Sequence, residues 1–139
     1  MIRMEMTGLL AAVMIVSLTG VAQAKEPVPL NDTRTAVGRG ALIYAAHCAT
    51  CHDNSKHMLN DNGPALFGVV NRRVGSLADY DYSAALQKGR DHRDRWTLKR
   101  LDTFLSNPEA MYPGTTMPMN FSDRDHRASI IAYLNTLKD

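Results

Sequence analysis

Apolar residues recur at helical spacing in several stretches of this chain, and nowhere do they alternate long enough to predict a strand. Val37, Ala41, Leu42, Tyr44, Ala45 and Ala46 predict a helix ending near His47, with Asp32 and Thr35 as candidate N-caps. Gly40 inside it costs about 1 kcal/mol against alanine, a cost offset where another backbone must come close. Ser83 to Lys88 predicts a short helix stopped by Gly89. Thr97 opens a helix to about Ser106, with Leu98, Leu101, Phe104 and Leu105 on one face and Pro108 ending it. Ser122 is the candidate cap of the last helix, with Asp125 as its capping-box partner. Ile130, Ile131, Tyr133, Leu134 and Leu137 give that helix an apolar side.

The connecting segments read differently. Asp53 to Asn62 is a polar loop, Gly63-Pro64 is turn chemistry, and Leu66 to Val74 is too short to assign. Met111 to Phe121 holds Pro113, Gly114 and Pro118 and predicts a loop. There are no repeats and no low-complexity tracts. The fold class expected is all-α.

The apolar run Leu9 to Leu18 is too short for a permanent membrane helix, which needs ~20 apolar residues. It follows Arg3 and precedes Ala22-Gln23-Ala24, the small-x-small pattern of a cleavage site. Residues 1–24 are therefore expected to be a signal peptide cleaved after Ala24, although Glu5 is unusual so near the start. Residues 25–36, with Pro27 and Pro29, read as a flexible leader, and 37–139 as one domain.

Composition narrows the function. The balance of 16 Lys and Arg against 14 Asp and Glu is too even to imply nucleic acid as a partner. Two cysteines cannot make a disulfide framework. With 3 Phe, 1 Trp and 5 Tyr the aromatic core is thin, and a large apolar cofactor would relieve that.

The chemistry concentrates in Cys48-Ala49-Thr50-Cys51-His52. Two thiols three residues apart on a helical turn face the same side, and each can add to one of the two vinyl groups on an edge of haem. The histidine that follows is then held under the iron. Cys-x-x-Cys-His is the attachment signal of c-type haem. Three other uses of the pair are weaker. A thioredoxin-like pair needs a βαβ setting. A structural zinc site needs four ligands, and His57 is the only extra candidate nearby. An exported chain rarely keeps two incidental free thiols. The second iron ligand stays open among Met58, Met111, Met117, Met119, His57, His92 and His126. Met117 is best placed because its loop is stiffened by Pro113 and Pro118; Met119 and Met111 follow.

The ordered set of motifs resembles the small soluble class I cytochromes c, mitochondrial and bacterial periplasmic. Gly40-x-x-x-Tyr44 precedes the cysteine motif; Gly63-Pro64-Ala65-Leu66 and Gly68-Val69-Val70-Asn71-Arg72 follow. Then come Tyr80-Asp81-Tyr82-Ser83, Trp96, Asn107-Pro108, Pro113-Gly114-Thr115-Thr116-Met117-Pro118 and Ile130-Ile131-Ala132-Tyr133-Leu134. The resemblance implies crossing first and last helices, with Gly40 and Tyr44 meeting Tyr133 and Leu134, and short helices and loops wrapped around one haem. It implies Met117 as the distal ligand, the Pro64 carbonyl as acceptor for the free nitrogen of His52, and Arg72, Tyr82 and Trp96 as the holders of a buried haem propionate.

The function it implies is a periplasmic single-electron carrier, not an enzyme, acting as a monomer in a respiratory chain. Its partners would be redox proteins, and membranes would be met only through them. The alternatives are a subunit dedicated to a periplasmic dehydrogenase, or a haem enzyme or gas sensor. Departures are visible. Asn71 stands where glycine is usual, Phe104 where a tyrosine is common, and the stretch from Tyr82 to Trp96 is longer. His47, Glu109, Ala110 and Thr116 replace the lysines that ring the haem edge in mitochondrial members. With the near-even charge, this predicts docking that depends only modestly on salt.

Overall fold

The computed structural model describes residues 32–139. The expected signal peptide, its expected cleavage after Ala24 and most of the expected leader lie outside the described residues. Five helices follow in order: α1 (Ala36–His47), α2 (Ala84–Asp91), α3 (Leu98–Ser106), α4 (Pro108–Met111) and α5 (Arg124–Leu134). Only two isolated bridges occur outside them among the described residues, His52 with Asn60 and Arg73 with Arg95. The fold is all-α.

Thr35 caps α1, its hydroxyl accepting from Gly38 N at 3.0 Å. Asp32 instead braces that cap: its carbonyl accepts from the Thr35 hydroxyl and amide, both at 3.0 Å. α1 packs chiefly against α5, and Gly40 makes the crossing possible. A Cβ there would sit 1.9 Å from the Ser129 carbonyl oxygen and 2.8 Å from Tyr133 Cβ. Tyr44 and Tyr133 close the contact with ring centroids 5.4 Å apart. Ile130 and Val74 are fully enclosed in the core that α3 and α5 share with the intervening loops.

Three boundaries differ from the sequence expectation. Gly89 does not stop α2, which continues to Asp91. It is a site of close approach: a Cβ would lie 2.9 Å from both the Tyr112 ring and Val74. Pro108 does end α3, but it also opens α4, where its fixed φ suits the first helical position and Asn107 caps Ala110 N at 3.0 Å. Met111 therefore lies in a helix rather than a loop. The cap of α5 is Asp123, not Ser122, accepting from His126 N at 2.9 Å.

The longer stretch before Trp96 is accommodated by α2 and a turn in which Arg93 adopts φ +61°. Asn71 has φ +65°, the left-handed conformation that glycine takes freely and asparagine tolerates better than most residues.

Candidate functional site

One cleft gathers nearly all the sequence-predicted residues. Cys48, Cys51, His52, Pro64, Arg72, Tyr82, Trp96 and Met117 all line it. Its volume is about 1040 Å³, counting the part open to solvent.

The histidine side begins at the end of α1. Gly63 N donates to the Cys51 carbonyl at 2.7 Å, and Leu66 N to the Asp53 carbonyl at 2.7 Å, so the 60s loop folds back beneath His52. The Tyr44 hydroxyl bonds the His52 carbonyl. His52 Nδ1 lies 2.7 Å from the Pro64 carbonyl oxygen. A carbonyl can only accept, so the proton sits on Nδ1 and Nε2 keeps its lone pair. Burial lowers the His52 pKa, against a smaller upward push from that bond, and favours the neutral ring that can bind a metal. Gly63 lies directly against the imidazole: a Cβ there would be 2.3 Å from His52 Cε1.

At another wall, Arg72 donates to the Phe67 carbonyl at 3.1 Å and the Ala65 carbonyl at 2.5 Å. Tyr82 and Trp96 are buried beside it. Phe104, without a hydroxyl, packs on Trp96 at 4.9 Å and Tyr112 at 6.0 Å. Met117 is half-buried on the loop after α4, whereas Met119 is exposed and Met111 and Met58 do not line the cleft. His57, His92 and His126 are exposed and lie outside it too.

Sequence reasoning had not given a site role to Leu66, Val69, Leu86, Leu101, Leu105 and Ile130, which supply much of the apolar lining. The helical spacing of Leu101, Leu105 and Ile130 was the available signal; Leu66 and Val69 sit in loop and carried none.

The lining suits a large apolar group held by two thiols, with an imidazole and a thioether in the same cleft. Cys48 and Cys51 are not joined in a disulfide. Burial, with Cys51 close by, pushes the Cys48 thiol up to about 11, the reverse of the low-pKa thiol of a dithiol oxidoreductase. No cluster of three or more His, Cys, Asp or Glu suited to a metal ion forms among the described residues, so a closed zinc site has no ligand set there.

Comparison with known proteins agrees. The cytochrome c family model matches residues 37–138. The chain is 36% identical over 102 residues to cytochrome c of Euglena viridis, covering 73% of this chain and 96% of that one. It is 37% identical over 120 residues to a cytochrome c homolog of Bradyrhizobium diazoefficiens, covering 85% of this chain and 63% of that protein. Cytochrome cH from Methylobacterium extorquens superposes with a TM-score of 0.62 at 37% identity, covering 71% of this chain and 96% of that one. The chain belongs to the cytochrome c family. It carries covalent haem c through Cys48 and Cys51, and membership makes it a haem-containing electron carrier that works with redox partners.

Proposed function

We propose that this cytochrome c is a monomeric single-electron carrier of the periplasm, in which His52 and Met117 would hold the haem iron. The observation that carries it is the convergence of His52, its Nδ1 tied to Pro64, and Met117 on the one cleft that Cys48 and Cys51 also line. The apolar run ending in Ala22-Gln23-Ala24 supports export.

Bound haem supplies a one-electron couple. The chain's own residues do the rest. Pro64 fixes the tautomer and ring plane of His52. Met117 offers a soft thioether, which favours the reduced ion and raises the potential. Arg72, Tyr82 and Trp96 would hold a buried propionate of the haem, which without donors would be costly to bury. Leu66, Val69, Leu101 and Ile130 keep water from the cleft. His52 and Met117 would hold the iron of bound haem between them, which would leave no place for a small ligand and suit the site to electron transfer rather than to substrate chemistry.

The test is Met117→Ala. The reduced variant should bind carbon monoxide and its midpoint potential should fall, while the parent shows neither. If Met119→Ala does this and Met117→Ala does not, the ligand assignment is wrong.

A further inference from the structure

The near-even total charge conceals a separation. Residues 72–73 and 88–100 carry eight Lys and Arg against two acids, Asp91 and Asp94. All other described residues carry six Lys and Arg against ten Asp and Glu.

The fold joins the basic segments into one ridge. Asn71 N donates to the Trp96 carbonyl at 2.9 Å, Trp96 N to the Arg72 carbonyl at 2.9 Å, and Val74 N to the Asp94 carbonyl at 2.9 Å. Arg73 and Arg95 thus face each other across a bridge. α2 lies against the same ladder, with Arg90 Cβ only 3.3 Å from where a Cβ on Gly75 would stand. Both acids on the ridge are engaged: Asp94 by Arg100 at 2.5 Å and Asp91 by Arg90 at 3.5 Å. Arg73, Arg93, Arg95, Lys88 and Lys99 are exposed, and none pairs with a carboxylate among the described residues. α2 makes no contact with α1, the helix that leads into the attachment cysteines.

We propose that this arginine ridge is a docking face for an acidic protein surface; that the partner is a redox protein rests on the electron-carrier reading above. Arginine forks match carboxylates two bonds at a time, and the charge separation would turn the ridge toward an acidic partner before contact. A bilayer is a poorer occupant, because of the exposed large apolar side chains only Leu98 belongs to these segments. Single-stranded nucleic acid is poorer still, since the ridge's one Phe, Tyr or Trp side chain, Trp96, is buried. Arg72 and Trp96 also line the cleft, so a partner seated here meets the backbone that walls its Arg72–Trp96 end. Docking through the ridge predicts the opposite of the weak salt dependence expected from total charge and the missing lysines: binding should weaken steeply as salt rises.

The experiment is a titration of isotope-labelled holoprotein with poly-L-glutamate, alongside vesicles of phosphatidylcholine and phosphatidylglycerol at matched negative charge. Amide shifts should move at residues 72–73, 88–95 and 99. The variant Arg73→Gln/Lys88→Gln/Arg93→Asn should bind about tenfold more weakly, each exposed pair supplying about twofold. Asparagine at position 93 tolerates the positive φ. Lys88→Gln/Lys99→Gln, confined to exposed helical positions, should bind about fourfold more weakly on the same scale, and Glu109→Gln should bind no more weakly than the parent. Perturbation centred on residues 46–51 and 115–119, parental affinity in both ridge variants, or equally tight binding to the vesicles would overturn the proposal. Binding is read without a redox assay, so its failure is separate from any failure of the electron-carrier reading.

Discussion

The His52 and Met117 walls of the cleft are built differently. On the His52 side, Gly63, Pro64, Leu66 and Tyr44 all bond back to the segment that carries the imidazole or to the ring itself, and Gly63 leaves no space beneath the ring. On the Met117 side, the loop is held by Thr115 N on the Tyr112 carbonyl at 3.0 Å and Gly114 N on the Glu109 carboxylate at 3.0 Å. Met117 N itself lies 3.5 Å from the Thr115 hydroxyl, the limit of a hydrogen bond. Pro118, Met119 and Asn120 are exposed until Phe121 N reaches the Leu105 carbonyl at 2.8 Å. The imidazole is fixed by packing and hydrogen bonds, whereas the thioether is presented by a loop stiffened mainly by its prolines. Of the two proposed ligands, the thioether is therefore the one whose loss the fold should survive.

That asymmetry can be broken most forcefully at Gly63. Gly63→Ala puts a methyl into the His52 ring and should cost about 3 kcal/mol, the upper range for overpacking a closed site. Denaturant unfolding of the holoprotein measures it. Met117→Ala should cost less, about 2 kcal/mol, the lower end for truncating a methionine and apt for a half-buried one, and leave a folded protein. A Met117→Ala variant less stable than Gly63→Ala would reverse the ranking of the two walls.

Legibility in the sequence follows the same division. The cysteine motif and Gly63-Pro64 were readable because covalent attachment and a tight turn each demand particular residues at fixed spacing. Gly40, a helix breaker in an otherwise regular helix, signalled a close backbone approach, and the family resemblance supplied the last helix as its partner. Gly89 misled because the same residue that ends helices also admits a neighbouring ring, and only the tertiary position of Tyr112 distinguishes the two. The Asp94–Arg100–Tyr112 knot, with bonds of 2.5 to 2.8 Å, left no local pattern. Neither did Arg127, which holds Asp102 and the carbonyls of Phe121 and Ser122 from within the core. The arginine ridge was hidden because net charge sums over the chain, while docking depends on where the charges stand.

A smaller effect is expected at Glu109. Its two oxygens lie 3.0 and 3.1 Å from Gly114 N and tie the exposed turn of the Met117 loop to α4. Glu109→Ala should cost about 0.5 kcal/mol, the low end for a hydrogen bond at an exposed site. The sharper readout is local: amide exchange at Gly114 and Thr115 should quicken while that at Gly63 and Leu66 does not change. Equal acceleration on both walls would mean that they are mechanically coupled and that the contrast between them is false.

The smallest expected effect lies at the far end of the Met117 segment, where the chain enters α5. Asp123 caps that helix, and its hydrogen bond from His126 N, more than any other influence, holds its carboxyl below the ordinary value of 3.8. A carboxyl with a depressed folded-state pKa contributes stability that is complete above its ordinary range and is lost as pH falls through the lower folded value. The first turn of α5 should therefore begin to fray only in strong acid, seen as faster amide exchange at Asp125, His126 and Arg127. Asp123→Asn keeps a side-chain oxygen that can accept the same bond but cannot titrate, so its exchange rates should lose that acid limb. Arg127 bonds the Phe121 and Ser122 carbonyls independently of the cap, so the chain just before α5 should hold through the same pH range. If Asp123→Asn frays over the same acid range as the parent, the cap is not the titrating element and the acid sensitivity of this wall has another source.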